Sequence, residues 1–361
     1  MKIALLNLPL DNNYGGNLQR YALIKVLQKM GHEVEHINLK FHYTLPWYKW
    51  WYSYPKRIIY KYVFGRKNTC IFIEKMKNNE MKEKMLLTLN FYNKYIPHTP
   101  CCTNIRQVKK YTANKYDAYV VGSDQVWRKG SATQIGLKNY LLNFTKNEDV
   151  GRYAYAVSFG VSGNLLNKKE IVSLASDYSL FNAVSVREQS GLTLLKEYGW
   201  NLPIPCLCLD PTFLLSQKDY IDLIEENEVK NLTSNRIFTY ILDESEKTKS
   251  VIACYREKYK TNIVEVSLHD TSTVSIFQWL NNIRLAKFVI TDSYHGCVFS
   301  IIFNRPFIFL GNESRGNSRI ESLFEMLGIN SKETEFIDYE KVNVKIERLK
   351  NISINFLSKI G

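Results

Sequence analysis

The chain has 361 residues, 45% apolar, 23% charged and 13% aromatic, a length for about two domains with disulfide-independent cores and a composition that excludes wholesale disorder. No run of about 18 apolar residues occurs, so no membrane span is expected, and the seven cysteines lack C-x-x-C spacing and read as thiols of a reducing cytoplasm. The formal charge of +13 is concentrated in residues 40–115, where 16 lysines and arginines face Glu74, Glu80 and Glu83, yet no nucleic-acid-binding motif accompanies it.

The N-terminal MKIALLNLPL has a lysine and a short apolar run but no small-residue cleavage site, so it reads as a strand and not a secretory signal. The loop PLDNNYGGN, the helix LQRYALIKVLQKM, the terminator Gly31 and the strand HEVEHINL complete a βαβ unit. In Asn13-Tyr14-Gly15-Gly16-Asn17 the glycines allow backbone N–H groups to approach an anion; a plain turn with Asn17 as helix cap is the alternative. The string is neither a P-loop nor a dinucleotide fingerprint. The arm FHYTLPWYKWWYSYPKRIIYKYVFGRK (41–67) interleaves Trp47, Trp50 and Trp51 with Lys49, Lys56, Arg57, Lys61, Arg66 and Lys67. Indoles favour the headgroup layer and cations favour anionic lipid, which suggests a peripheral membrane surface; a solvated, partly buried insertion is the alternative. Residues 70–95 read as one long amphipathic helix ending near Pro97.

YDAYVVGSD and RYAYAVSFG are buried strands, and SLFNAVSVRE is a strand followed by the helix SGLTLLKEYG. Asp124 ends the apolar run AYVV, where a carboxylate can accept a proton, bind a sugar hydroxyl or cap a helix. Arg187 leaves a buried strand and needs an anionic partner. Glu188 or Asp210 can fill that need structurally, and a substrate carboxylate or phosphate can fill it functionally. A domain switch is expected near Asp210-Pro211, giving residues 1–205, with the arm, as the acceptor side and 206–361 as the donor side.

The second half repeats the theme with RIFTYIL, a helix near 245–259, NIVEVSL, a helix around 274–284, the strand AKFVI, the helix HGCVFSIIFN and the strand RPFIFLG. His295 stands between strand and helix, flanked by Asp292, Ser293, Tyr294 and Gly296. A helix N-terminus there favours neutral imidazole unless a bound anion compensates. Downstream, Arg315 and Arg319 are phosphate candidates, and Ser318-x-x-Glu321 reads as a capping box. Strands alternating with helices argue for two parallel, doubly wound α/β sheets with ligands at strand-to-helix loops.

Taken together, NYGGNLQRYAL, YDAYVVGSDQVW, SVRE, LDPTFLL, TDSYHGCVFSIIFNRPFI and SRIESLFEMLGI resemble, in order, the motifs of the polysaccharide pyruvyl transferase family. The 41–67 arm and the Cys101-Cys102 pair have no counterpart in it. The resemblance implies two Rossmann-like domains, GT-B-like, with the active site in the inter-domain cleft. It also implies phosphoenolpyruvate as donor and a glycan hydroxyl pair as acceptor, the product being a pyruvate ketal in bacterial capsule, exopolysaccharide or cell-wall polymer synthesis. By motif position, His295, Asp124 and Arg187 are the expected catalytic residues. The expected substrate-binding set is Asn13, Tyr14, Gly15, Gly16, Asn17, Gly122, Ser123, Asp292, Ser293, Tyr294, Gly296, Arg315, Ser318 and Arg319. His295 is expected to protonate the donor, Asp124 to orient or deprotonate the acceptor hydroxyl, and Arg187, with Arg315 or Arg319, to bind the anionic groups. No metal or resident cofactor is expected, the location is cytoplasmic at the inner membrane face, and the acceptor leans toward a lipid-linked glycan. The alternatives are a nucleotide-sugar glycosyltransferase, using the Glu313 and Glu321 spacing, and a non-catalytic glycan-binding protein.

Overall fold

The computed structural model describes residues 1–361 apart from 131–134, 161, 162, 164, 228, 230–235, 268, 269, 271 and 312–316. In the first strand, β1 (Lys2–Leu6), Ile3 and Leu5 enter one core while Ala4 and Leu6 enter another. This is the period of two that a sheet covered on both faces imposes. The strand β2 (Glu33–His36) pairs with β1 on one side. On the other side lies β3 (Ala118–Asp124), which divides Ala118 and Val120 from Tyr119 and Val121 in the same way. Then follow β4 (Gly151–Val157), β5 (Ala183–Val186) and β6 (Cys206–Leu207). Among the described residues these form a six-stranded sheet, β2-β1-β3-β4-β5-β6, parallel throughout.

The second sheet is built from β7 (Arg236–Ile241), β8 (Ile263–Ser267), β9 (Ala286–Thr291) and β10 (Phe307–Phe309). Its order among the described residues is β10-β9-β7-β8, again parallel. Phe238 and Tyr240 face one core, Ile237 and Ile241 the other. Two parallel α/β sheets are therefore present, as expected from the strand–helix alternation.

The two halves share a core. The helix Tyr14–Lys29 is buried along most of its length, because it is covered by its own sheet on one side and by the second half on the other. Tyr14 stacks on Trp279 with ring centroids 5.3 Å apart, and its hydroxyl donates to Val274 O (2.7 Å). The C-terminal helix Tyr339–Leu357 returns to the first sheet. Ser353 Oγ accepts from Leu209 N (3.0 Å), and Phe356 packs on Tyr155.

Two local expectations change. Cys206–Leu207, assigned by sequence to the second half, is the edge strand of the first sheet. The single helix expected over 70–95 is two, Ile73–Lys84 and Leu86–Tyr95, broken where Met85 turns into the core. The lysine-rich first piece buries no residue, whereas the second buries Thr88, Phe91 and Tyr92, so one straight rod would not satisfy both. In the arm, a short 3-10 turn (Trp47–Lys49) leads into the helix Trp50–Tyr62, and neither has a buried residue.

Candidate active site

Strand ends from both sheets converge on one cavity of about 230 Å³, at the carboxyl-end crevice where parallel sheets bind ligands. Beyond β1, Asn7 Nδ2 donates to Gly122 O (2.5 Å), tying the ends of β1 and β3 together. The chain then runs through Leu8, Asp11 and Asn13, all on the cavity wall. Asn13, not Asn17, is the helix cap: its Oδ1 accepts from Gly16 N. Asn17 is buried and organises the loop, donating to Asp11 O and Asn13 O and accepting from Arg20 Nη1 (2.8 Å). Arg20 also donates to Leu8 O. The Gly16 N–H is thus already taken by the cap. A Cβ on Gly15 would sit 2.0 Å from the His295 ring, so that glycine exists to let the imidazole approach.

At the end of β3, Gly122 has φ 120° and a Cβ there would come within 2.2 Å of Tyr155 O. Ser123 points into the protein and donates to Ala156 O (3.0 Å). Asp124 has φ 68°, a left-handed conformation costing a non-glycine residue about 1–3 kcal/mol, and its carboxylate faces the cavity. Beyond it, Val126 and Trp127 anchor the loop in the core, while Gln125 Oε1 accepts from Arg128 Nη1 (2.7 Å) on the cavity wall.

Arg187, 1% exposed, lies under these groups and not on the cavity wall. Its Nη2 donates to Asp124 Oδ1 and its Nη1 to Asp210 Oδ2, both at 2.7 Å, and its Nε is 3.7 Å from Glu188 Oε2. The Tyr294 ring covers it at 4.7 Å. Both structural partners foreseen for Arg187 are thus present, and so is Asp124. With Nη1 and Nη2 each bonded to a carboxylate and the side chain buried beneath the cavity wall, Arg187 holds Asp124 and Asp210 in place. Glu188 is itself fixed by Ser158 Oγ and Phe159 N.

From the second half, Ser293 caps the helix Tyr294–Ile302 by accepting from Gly296 N, and Gly296 packs against Thr291 where a Cβ would clash. His295 Nε2 lies 3.7 Å from Asp210 Oδ2. Asp292 accepts from Leu242 N (2.7 Å) and Asp243 N (3.0 Å), pinning the end of β7. Arg319 Nη1 is 3.9 Å from Asp124 Oδ1, and its guanidinium lies 5.6 Å from the Tyr294 ring. The helix Ser318–Leu327 bridges to the first half through Ser322 Oγ, which accepts from Gln189 N (3.0 Å).

The electrostatics follow from this packing. Burial opposes charge on Asp124, but Arg187, His295 and Arg319 outweigh it and hold the carboxyl below its ordinary range. Burial opposes charge on Asp210 as well, and His295, Arg187 and Thr212 hold it lower still. Burial also works against Arg187, where Asp124, Tyr294 and Asp210 more than compensate. Arg319 is left below its usual value by burial and by the neighbouring charge of Arg187. An anion entering the cavity would relieve that repulsion.

Of the expected site residues, Asn13, Asp124, Asp292, Ser293, Tyr294, His295 and Arg319 line the cavity. Tyr14, Gly15, Gly16, Asn17, Gly122, Ser123, Arg187 and Gly296 support it from behind. The capping box at Ser318 does not form: Ser318 is the first helical residue, Asn317 occupies the cap position and makes no side-chain cap hydrogen bond, and Glu321 is exposed. Arg315 and Glu313 lie outside the described residues. Sequence reasoning left Asp11, Gln125 and Arg128 off the site; Gln125 and Arg128 directly follow the Gly122-Ser123-Asp124 strand end, which was their only signal.

No curated protein matches the chain. Solved structures of UDP-GlcNAc 2-epimerases are similar to it. The enzyme of Methanocaldococcus jannaschii, in complex with UDP-GlcNAc and UDP, is 12% identical with TM-score 0.45 over 97% of this chain and 100% of that one. That of Neisseria meningitidis, bound to UDP-GlcNAc, is 12% identical with TM-score 0.48 over 99% and 100%. A putative UDP-N-acetylglucosamine 2-epimerase from Listeria monocytogenes is 9% identical with TM-score 0.49 over 100% and 91%. The family model for polysaccharide pyruvyl transferase matches residues 13–314, a span that holds the loop at Asn13, Asp124, Arg187, Asp210 and His295 alike. The chain belongs to the polysaccharide pyruvyl transferase family.

Proposed function

We propose that the cavity binds phosphoenolpyruvate and two hydroxyls of a glycan sugar and joins them as a pyruvate ketal, in the synthesis of a bacterial capsule, exopolysaccharide or cell-wall polymer. The observation that carries the reading is the grouping of His295, Arg319 and Asp124 on the cavity wall, with His295 against the buried Asp210 and Arg319 beside Asp124. A donor with a carboxylate and a phosphate needs cations, and Arg319 and Arg128 both border the cavity. His295 delivers a proton to the methylene carbon, with Asp210 as counter-charge to the imidazole. Positive character then develops on the central carbon; a sugar hydroxyl attacks it and returns its proton to the His295 imidazole, the carbon–oxygen bond to phosphate breaks, and the second hydroxyl closes the ring as its proton passes to the departing phosphate.

Asp124 is held in its ionised form by Arg187, which makes it a weak proton acceptor but a strong, fixed hydrogen-bond acceptor. Its role is therefore to orient the attacking hydroxyl and to stabilise the positive carbon. Arg187 is a positioning residue that fixes Asp124 and Asp210.

Incubation with phosphoenolpyruvate and with nucleotide sugars, in separate reactions with glycan acceptors, tests the reading. Phosphate release with an acceptor mass gain of one carboxyethylidene group is expected. Release of nucleoside diphosphate, with no response to phosphoenolpyruvate, would replace ketal transfer with glycosyl transfer. Sugar binding by calorimetry without donor binding would reduce the protein to a glycan-binding module.

A further inference from the structure

The helix Trp50–Tyr62 is inside-out. At 100° per residue, Trp51, Tyr52, Pro55, Ile58, Ile59 and Tyr62 share an arc of about 120°, and every one of them is exposed. The opposite side carries the charge. Arg57 forks onto Glu74 of the neighbouring helix (2.7 and 2.8 Å), and Tyr54 packs on Phe72. A soluble surface helix normally turns its apolar stripe toward the core; here the ion pair faces the protein and the apolar stripe faces out. The exposure is high: Trp47 78%, Trp51 77%, Val63 73% and Phe64 65%. Among the described residues, most of the exposed large apolar side chains lie between Phe41 and Met76, a concentration that marks an interaction face.

We propose that this face docks on the surface of an anionic phospholipid bilayer. Charge selects the occupant. The surrounding segment carries 16 lysines and arginines against three glutamates, so a second copy of the chain would meet like charge, whereas anionic headgroups complement it. The arrangement of side chains agrees. Arg66 lies 4.9 Å from the Tyr60 ring centroid and Lys56 5.5 Å from it, placing cations at the level of amphipathic rings as the headgroup layer requires. Among the described residues no helix is long and apolar enough to cross a membrane, so the contact is peripheral. At the root of the arm is a cavity of about 280 Å³ lined by Leu10, Phe41, Met81, Met85 and Leu89. Leu10 belongs to the same loop as Leu8, Asp11 and Asn13 of the active-site wall. A docked bilayer therefore lies beside the cleft, on the side from which a lipid-linked acceptor would enter; only this last step rests on the pyruvyl-transfer reading.

Flotation of the full chain with vesicles, without donor or acceptor, tests the docking independently of the chemistry. With phosphatidylcholine vesicles containing phosphatidylglycerol the protein should float at about 0.1 M salt and be released as salt screens the headgroups. With pure phosphatidylcholine it should stay below. The triple change Trp51→Ser, Ile58→Ser, Tyr62→Ser and the triple change Lys49→Glu, Lys56→Glu, Lys67→Glu should each lower the bound fraction about tenfold or more, with far-ultraviolet circular dichroism unchanged. Without any variant, tryptophan emission of the wild-type chain should shift to the blue on titration with the anionic vesicles. Absence of flotation or of the blue shift overturns the proposal, as does binding that both variants retain. A solution dimer that the serine variant dissolves, with no flotation, assigns the face to a second copy instead.

Discussion

Replacing Gly15 by alanine probes the contact between the two halves at the point where it bears on chemistry. A Cβ on residue 15 would lie 2.0 Å from His295 Cγ, 2.1 Å from Nδ1 and 2.4 Å from Cβ. Carbon atoms rest at about 3.5–4.0 Å, so the imidazole must retreat by about 1.5 Å. Alanine is otherwise the better helix residue by about 1 kcal/mol, so any net destabilisation reports the clash. Overpacking of this kind costs about 1–3 kcal/mol. A catalytic group displaced by about 1 Å can lose about 100-fold in rate. We therefore expect Gly15→Ala to unfold at lower urea and to release phosphate from phosphoenolpyruvate, with acceptor present, about 100-fold more slowly. In a His295→Ala background the same change should cost almost no further turnover, since the displaced ring is gone, while stability still falls because the Cβ that alanine keeps lies 2.4 Å from the new one. Wild-type stability and turnover in Gly15→Ala, or an equal fold-loss of turnover in both backgrounds, would refute the reasoning.

His295→Ala alone should lower turnover by about 100-fold or more if the imidazole donates the proton, read as phosphate release at saturating donor. If the charge of Arg319 serves donor binding, Arg319→Gln should raise the KM for phosphoenolpyruvate far more than it lowers kcat. Arg187→Met should cost about 3–5 kcal/mol in urea denaturation by stranding Asp124 and Asp210 without their buried cation. Acid unfolding should show the depressed carboxyls: their contribution is complete above the unfolded value near 3.8 and is lost as pH falls through the lower folded values. Asp210→Asn should remove that share of the loss from a stability profile measured below pH 4, and an unchanged acid limb would count against it.

The alternation of strands and helices was readable because each strand is a short apolar run and each helix has its own period; β7 through β10 fall where RIFTYIL, NIVEVSL, AKFVI and RPFIFLG stand. The convergence of Asp124, Arg187 and His295 was also readable, since Asp124 ends a strand, Arg187 directly follows one and His295 opens the helix after another, all at the carboxyl ends of parallel strands. What each does was less so. Arg187 read equally as a substrate ligand and as a structural cation: Glu188 is its neighbour in sequence, but Asp124 and Asp210 lie far along the chain, and only packing shows its Nη atoms bonded to both. That Gly15 makes room for His295 was hidden, because local sequence does not show an imidazole nearly 300 residues away packing against it. The break at Met85 was hidden for a related reason: the helical period continues through it, and the pull of the core on Met85 is a tertiary effect.

The shared core of the two halves has a consequence for turnover. Tyr14, stacked on Trp279, and the C-terminal helix strapped across to Leu209 and Tyr155 act as rivets on either side of the crevice. Swinging the lobes apart would wet those apolar surfaces, a free-energy cost that opposes opening of the crevice as a hinge.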